Sequence, residues 1–209
     1  MGGLSDVTVR ETSPQDAGAC GVLLFATWPH LYHALLGDAG RAHRVLARLF
    51  AAPGNTFSFD ATRVAERDGR IVGLASSYPA DQGQRRARAS LIPALRALGP
   101  FGFASVLRAV WRIADASMGV DPRHYYVANV AVSQDTRRGG LGSLLLADAE
   151  RRGRACGLRG VSLELEGNDP AVRRFYERAG YQVVEERHSA ELRQLTGNGH
   201  RLLMSKDLA

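Results

Sequence analysis

The clearest pattern of hydrophobic and polar positions lies between residues 125 and 155. An apolar, β-branched run from Tyr125 to Val132 predicts a buried strand. A short polar turn and three glycines follow. The next segment carries apolar residues at helical spacing and reaches a glycine C-cap at Gly157. The pattern therefore predicts a strand, a glycine turn and a helix in direct succession.

The same reasoning predicts most other elements. Alternation predicts strands at 7–11, 59–67, 70–78, 161–166, 182–187 and 200–206, and Asp68-Gly69 marks a hairpin between the second and third of them. Helical spacing and capping residues predict helices from Ser13 to about Thr27, from Ala42 to Phe50, and from Asn168 to Ala179. Pro29 is expected to stop the first helix.

Residues 84–120 carry two apolar stripes at helical spacing, divided by Gly99-Pro100. The first consists of Leu91, Ala94, Leu95 and Leu98, and the second of Phe103, Val106, Leu107, Val110, Trp111 and Ala114. We expect a helical hairpin here, decorated by six arginines. Three roles fit this segment: a lid over a binding site or plain packing, a contact between two copies, or a helix that touches a membrane. The membrane interpretation is weakest because each stripe is short and partly alanine.

Length and composition limit the class of protein. A chain of 209 residues suits one domain, here residues 1–209, and 45% hydrophobic with 23% charged residues excludes disorder. No uninterrupted apolar run reaches the roughly 18 residues of a membrane span, and the N-terminus lacks a signal-peptide core. We therefore expect a cytoplasmic protein with no membrane partner. Cys20 and Cys156 have no metal-like spacing, so we expect reduced thiols and no metal site.

The chain is basic, with a formal net charge of +6 and an isoelectric point near 9.9. Its arginines are scattered along predicted helices and are not gathered into an aromatic-interleaved patch. This distribution argues against nucleic-acid binding and fits a polyanionic ligand.

The glycine turn before the central helix favours an anion. Glycines let backbone N–H groups approach a bulky ligand, and the first helical N–H groups have no partners within the helix. The helix dipole adds partial positive charge, so phosphate is the expected ligand. A plain strand-to-helix connection would also use glycines. However, the P-loop pattern G-x-x-x-x-G-K-[ST] and the dinucleotide pattern G-x-G-x-x-G are both absent.

The spacing of Val132, Arg137, Gly140 and Gly142 resembles the R/Q-x-x-G-x-G/A motif of the GNAT N-acetyltransferase superfamily. The resemblance implies that this turn holds the pyrophosphate of acetyl-coenzyme A. The cofactor-binding residues it implies are Val130, Ala131, Val132, Arg137, Arg138, Gly139, Gly140, Leu141, Gly142, Ser143 and Asn168. It also implies an α/β fold, the GNAT acyl-CoA N-acyltransferase fold. This is a mixed, mostly antiparallel sheet flanked by helices, splayed at the central strand, with residues 84–120 as a helical insertion before that strand.

A second stretch, EGNDPAVRRFYERAGYQVV, resembles the family's second signature. Tyr176 stands four residues before Gly180, where the family has its tyrosine, and the resemblance implies a general acid for the thiolate leaving group. The family asparagine falls in register on Asp169, whereas the amide is at Asn168. Asn168 is thus expected either to bind the pantetheine arm or to serve only as a helix N-cap. Tyr176 could equally be a core aromatic beside Phe175.

Acetyl transfer also needs an oxyanion donor and a base. In the family, a central-strand N–H, here that of Val130, points at the thioester carbonyl, and Val132 pairs with pantetheine. No base stands out, and Glu66, His124, Glu164 and Glu166 stay open. The acceptor side lies between the first two predicted helices, where Trp28, His30, Tyr32 and His33 either contact substrate or only pack.

The resemblance implies transfer of acetyl from acetyl-coenzyme A to a primary amine by direct attack in a ternary complex. Two alternatives remain at this stage. One is a non-catalytic acyl-coenzyme A sensor or interaction module, and the other is a protein or peptide N-acetyltransferase. The expected partners are a small amine or a peptide acceptor, with a homodimer as a further possibility.

Overall fold

A mixed sheet of seven strands forms the centre of the computed structural model, which describes residues 6–136 and 139–208. In chain order the strands are β1 (Val7–Glu11), β2 (Thr62–Arg67), β3 (Arg70–Pro79), β4 (His124–Val132), β5 (Gly160–Glu166), β6 (Gln182–His188) and β7 (His200–Asp207). Their order across the sheet is β1-β2-β3-β4-β5-β7-β6. All neighbours are antiparallel except β4 and β5, which are parallel. The predicted fold class is confirmed.

Eight α-helices of the described residues flank this sheet. They are α1 (Ala17–Thr27), α2 (Pro29–Leu36), α3 (Ala39–Ala51), α4 (Gly83–Ala89), α5 (Leu91–Arg112), α6 (Leu141–Ala155), α7 (Pro170–Arg178) and α8 (Ala190–Thr196). On one side of β2–β4, Leu24 of α1 and Phe50 of α3 pack with Leu74 of β3. On the other side, Leu141 and Leu145 of α6 pack against the sheet. The sheet is thus covered on both faces.

Two helices, α2 and α8, were not predicted from the sequence. Pro29 does stop α1, but it also occupies the first turn of α2, where its missing N–H costs nothing. Trp28 lies between them with a non-helical backbone, and the two helices meet at 108°. The second missed helix is α8, a short helix capped by the Ser189 side chain, which accepts a hydrogen bond from the Leu192 N–H.

The segment before β4 differs in detail from the expected hairpin. The structure has a short helix, α4, and then α5, which continues from Leu91 to Arg112 across a kink at Gly99. Gly99 has φ 71° and ψ 171°, a conformation that essentially only glycine adopts. The predicted division of the two stripes at Gly99-Pro100 is therefore present. The inner side of α5 packs against the core through Ala94, Leu98 and Val106.

Candidate active site

Strands β4 and β5 separate along their length. Their pairing covers His124–Val127 and Gly160–Leu163, and within the described chain no further pairs join them. Beyond this point, β4 keeps only its β3 neighbour, from Asn129 opposite Ser76 to Val132 opposite Gly73. A register shift beside Ser76 and Ser77 marks an irregularity where the separation begins. One edge of the second half of β4 therefore lies open.

The open edge offers backbone donors. The Ser133 N–H donates to the Val72 carbonyl of β3 at 2.9 Å. Because successive N–H groups of a strand alternate in direction, those of Val132 and Val130 point away from β3, into the gap. Both residues are only partly buried. This is the geometry that a strand-like ligand arm can pair with.

The glycine turn reaches the same gap at the start of α6. Gly140 is the N-cap residue with φ 78°, and the first helical hydrogen bond runs from the Leu144 N–H to the Gly140 carbonyl at 3.0 Å. The N–H groups of Leu141, Gly142 and Ser143 therefore have no partner within the helix. Gly139 and Gly140 are exposed at this end. Arg137 and Arg138 lie outside the described residues.

Helix α7 forms the opposite wall of the gap. Tyr176 is buried and its ring meets those of Phe175 and Tyr181 edge-on, with centroids 4.9 and 5.9 Å away. Burial raises the pKa of the Tyr176 phenol to about 12. The hydroxyl therefore keeps its proton at neutral pH, as a proton donor must.

The cap of α7 corrects one expectation. Asp169, and not Asn168, is the N-cap residue, and its carboxylate accepts hydrogen bonds from the N–H groups of Ala171 (2.9 Å) and Val172 (3.1 Å). The alternative that Asn168 caps the helix is wrong. Asp169 also lines the cleft described next, at the family position of the asparagine, whereas Asn168 is not among the lining residues. A binding role for Asn168 stays a prediction.

A cleft of about 960 Å³ joins these groups. On one side it is lined by Val130, Ala131, Val132, Gly142, Val172, Phe175 and Tyr176. On the other side it is lined by Thr27, Trp28, His30, Tyr32, Phe57, Tyr78, Tyr126, Asn129, Glu164, Glu166 and Arg201. Of the predicted cofactor residues, the first side holds Val130, Ala131, Val132 and Gly142, whereas the Leu141 side chain is buried in the core. The second side is rich in aromatic and charged groups.

Two carboxylates of β5, those of Glu164 and Glu166, lie on the same face of the strand and line the second side of the cleft. Glu164 is paired with Arg201 at 3.0 Å and accepts a hydrogen bond from the Tyr126 hydroxyl at 3.3 Å. Glu166 accepts from two neutral donors, Trp28 Nε1 at 2.8 Å and Asn198 Nδ2 at 3.4 Å.

The two carboxylates thus differ in charge balance. Glu164 forms an ion pair with Arg201, whereas the hydrogen bonds to Glu166 come from neutral donors, and Arg201 is the cross-strand neighbour of Glu166. Arg201 also stacks over the Trp28 ring, with its guanidinium carbon 4.1 Å from the ring centroid. The contact holds the indole in place for its bond to Glu166.

Three tyrosines complete this aromatic wall. Burial raises the pKa of Tyr32 and of Tyr78 to about 12, and it raises the pKa of Tyr126 well above its ordinary value, with the Glu164 carboxylate adding to the effect. All three phenols stay neutral at physiological pH. The acceptor side therefore presents apolar surface, hydroxyl groups and carboxylates.

The other base candidates lie elsewhere. His124 bonds Ser162 Oγ through Nδ1 at 2.7 Å, and Glu66 is paired with Arg10 at 2.6 Å on the β1–β2 side of the sheet. Neither residue lines the cleft. Of the aromatic and histidine residues considered for the acceptor side, Trp28, His30 and Tyr32 line the cleft. His33 instead bonds the Gly37 carbonyl at the end of α2.

Sequence reasoning missed Arg201 and Asn198. The bond from Trp28 to Glu166 joins residues 138 positions apart, and no local spacing signals such a contact. It also missed one group that could ligate a divalent cation, formed by Glu186, His188 and His200 across β6 and β7. The two imidazoles are cross-strand partners, so no sequence motif marks them. None of the three lines the cleft.

Comparison with known proteins agrees with this arrangement. The family model described as "Acetyltransferase (GNAT) family" matches residues 25–181. No curated protein matches the chain. Among solved structures, an acetyltransferase is similar with a TM-score of 0.73 at 20% identity, covering 97% of this chain and all of that one.

Two further solved structures have the same fold. An N-acetyltransferase from Staphylococcus aureus Mu50 has a TM-score of 0.71 at 12% identity, over 95% of this chain and all of the other. An agmatine N-acetyltransferase has a TM-score of 0.62 at 18% identity, over 97% of this chain and all of the other. At these identities the likeness concerns the fold. The family match spans both walls of the cleft, from α1 to the end of α7, and the chain belongs to the GNAT acetyltransferase family.

Proposed function

We propose that the protein transfers an acetyl group from acetyl-coenzyme A to a primary amine by direct attack in a ternary complex. The observation that carries the proposal is the single cleft. It has open β4 backbone and the α6 N-terminus on one side and, on the other, a carboxylate that accepts hydrogen bonds from neutral donors among aromatic rings. A donor and an amine bound in this one space would meet at the point where β4 and β5 separate.

The donor side fits acetyl-coenzyme A. The N–H groups of Gly139 to Ser143 and the dipole of α6 would hold the pyrophosphate. The pantetheine arm would pair with Val132 as an added strand, which places the thioester near Val130. The Val130 N–H would then stabilise the negative charge that develops on the carbonyl oxygen. No metal is needed for these steps.

The acceptor side fits a cationic amine. Because Glu166 has no ion-pair partner within 4 Å among the described residues and lines the cleft, its carboxylate would attract an ammonium ion and accept one of its protons. The neutral amine then attacks the thioester carbonyl, and the C–S bond breaks as the tetrahedral intermediate collapses. The second proton lost by the nitrogen leaves for solvent, as does the proton that Glu166 took up, while Tyr176 donates to the departing thiolate and recovers a proton from water. The products are an amide, coenzyme A thiol and one net proton.

The experiment is thiol release from acetyl-coenzyme A over a panel of amines and short peptides, for the wild type, Tyr176→Phe and Tyr181→Phe. Loss of a general acid should lower kcat by about 10²-fold or more. The affinity for coenzyme A should be retained in Tyr176→Phe. Tyr181 is a matched control, because it is a buried tyrosine beside Tyr176 that does not line the cleft.

Two results would overturn the proposal. If coenzyme A binds but no acceptor releases thiol, the protein is a non-catalytic acyl-coenzyme A module. If only peptides are acetylated, it is a peptide N-acetyltransferase. Equal losses of kcat in Tyr176→Phe and Tyr181→Phe would show that Tyr176 is not the general acid. Thiol release by the wild type would then still test the acetyl transfer.

A further inference from the structure

A continuous apolar surface is exposed on α5. Ten large hydrophobic side chains are exposed among the described residues, and seven of them belong to this helix: Leu91, Ile92, Leu95, Phe101, Leu107, Val110 and Trp111. Phe101 is 91% exposed and Trp111 is 74% exposed. Single exposed apolar residues are normal, but a group of this size on one helix is typical of an interaction surface. We call this group the α5 face.

The α5 face is separate from the side of the helix that holds the domain together. Ala94, Leu98 and Val106 pack against the core formed with α1 and α3. The residues of the α5 face project elsewhere around the helix, on both sides of the kink at Gly99. The helix is therefore apolar on two sides, and only one side is used by the fold.

The charged residues that α4 and α5 themselves contribute are all cationic, while Glu191 of α8 lines the same small pocket as Arg112. Residues 82–114 contain six arginines and no acidic residue. Arg86 is buried and paired with Asp60 at 3.1 Å, so it belongs to the fold. The others are exposed: Arg85, Arg88, Arg96, Arg108 and Arg112. The surface thus combines protruding apolar side chains with cationic ones.

We propose that the α5 face docks onto the surface of an anionic lipid bilayer. Phe101, Trp111 and their apolar neighbours would enter the boundary between headgroups and acyl chains, and the arginines would contact lipid phosphates. The charge distribution selects this partner. A second copy docking through the same face would bring two sets of arginines together, and the segment 82–114 that carries the face supplies no acidic residue to pair with them.

The helix would lie along the membrane. By length and composition the 33-residue stretch Ala80–Arg112 is long and apolar enough to cross one, and an apolar window of 18 residues within it contains no buried residue. However, its inner side is fixed to the core, and Gly99 interrupts its helical geometry. Val110 belongs both to the α5 face and to the lining of the cleft, so docking would place the cleft beside the lipid surface.

The test is co-sedimentation of the full chain with two kinds of vesicle. One is phosphatidylcholine alone, and the other contains added phosphatidylglycerol. We expect binding only to the anionic vesicles, weakening as salt screens the arginines. Trp111 fluorescence should shift to the blue on binding, and the shift should be absent in Trp111→Phe.

Two variants with matched controls locate the surface. Phe101→Ser/Trp111→Ser should reduce vesicle affinity at least about ten-fold, whereas Val184→Ser, a change at an exposed apolar residue of β6, should not. The triple variant Arg96→Gln/Arg108→Gln/Arg112→Gln should also reduce vesicle affinity at least about ten-fold. The control variant Arg70→Gln/Arg159→Gln/Arg178→Gln removes three exposed arginines elsewhere and should retain the affinity.

Other outcomes contradict the proposal. No sedimentation of the wild type with anionic vesicles overturns it. So does an equal loss in the control variants, which would show a response to net charge alone. A dimer in light scattering that Phe101→Ser/Trp111→Ser dissociates, without vesicle binding, assigns the face to a second copy.

Discussion

At the scale of single residues, the environments of Glu164 and Glu166 decide their roles. The two residues are two positions apart on one strand, and no sequence pattern distinguishes them. Their difference comes from Arg201, which pairs with Glu164, and from Trp28 and Asn198, which bond Glu166. These partners come from distant parts of the chain. The sequence could therefore predict that a carboxylate is available as a base, but not which of the two forms an ion pair.

The first prediction concerns Glu166→Gln. It should lower kcat/KM for the amine by about 10²-fold or more, because the base is lost, while coenzyme A affinity is retained. The defect should shrink as pH rises, since a larger fraction of the amine is then neutral without help. Rate profiles against pH for both proteins check this.

Glu66→Gln is the control, because Glu66 is paired with Arg10 and lies outside the cleft. A defect that is constant across pH would mean that Glu166 binds the acceptor without taking its proton.

At the scale of elements, the sequence predicted those strands, turns and helices that depend mainly on neighbouring residues. All seven strands lie in the predicted segments, but β2 begins only at Thr62, since Phe59–Ala61, predicted as its start, form a short 3-10 helix. The Asp68-Gly69 turn has positive φ at both residues, 51° and 70°. Helix α2 was missed because Pro29 both ends one helix and begins the next. The angle between α1 and α2 depends on packing, and that angle brings Trp28 to the cleft.

The second prediction concerns the kink of α5. Gly99→Ala should lower the free energy of unfolding by about 1–3 kcal/mol, because the backbone there is strained for any side chain even though no atom obstructs a Cβ. Denaturant titration measures the loss.

Gly83→Ala in α4 is matched, since a Cβ there also meets open space but the backbone is helical. It should be neutral or stabilise the protein by about 0.5–1 kcal/mol. Equal effects at the two glycines would show that α5 is not held in its kinked form.

At the scale of the whole molecule, the order of strands and the gap between β4 and β5 come from tertiary packing. The resemblance of two short motifs to a known family predicted the gap, which hydrophobic periodicity could not, and neither predicted the order of the strands. The exposed side of α5 is the opposite case. Its stripes predicted helices, but only the packed structure shows which apolar residues lack a partner.

The third prediction is that coenzyme A and acetyl-coenzyme A stabilise the folded chain. A ligand at one hundred times its Kd adds about 2.7 kcal/mol, which corresponds to a Tm increase of roughly 5–10 °C at this size. Thermal unfolding with and without each ligand measures it, and ATP serves as a control polyanion. No shift at millimolar coenzyme A would contradict the assignment of the glycine turn and the open β4 edge.

The short pairing of β4 with β5 has a consequence for cooperativity. Strands β1 to β4 form one continuous ladder, and β5 to β7 form a second, built from the last fifty or so residues of the chain. Only four residue pairs join the two ladders. The coupling between the ladders therefore depends mainly on side-chain packing, in the cluster that Tyr125 and Val127 of β4 share with Val161 and Leu163 of β5. A ligand seated between the ladders would bond to both and make them unfold together.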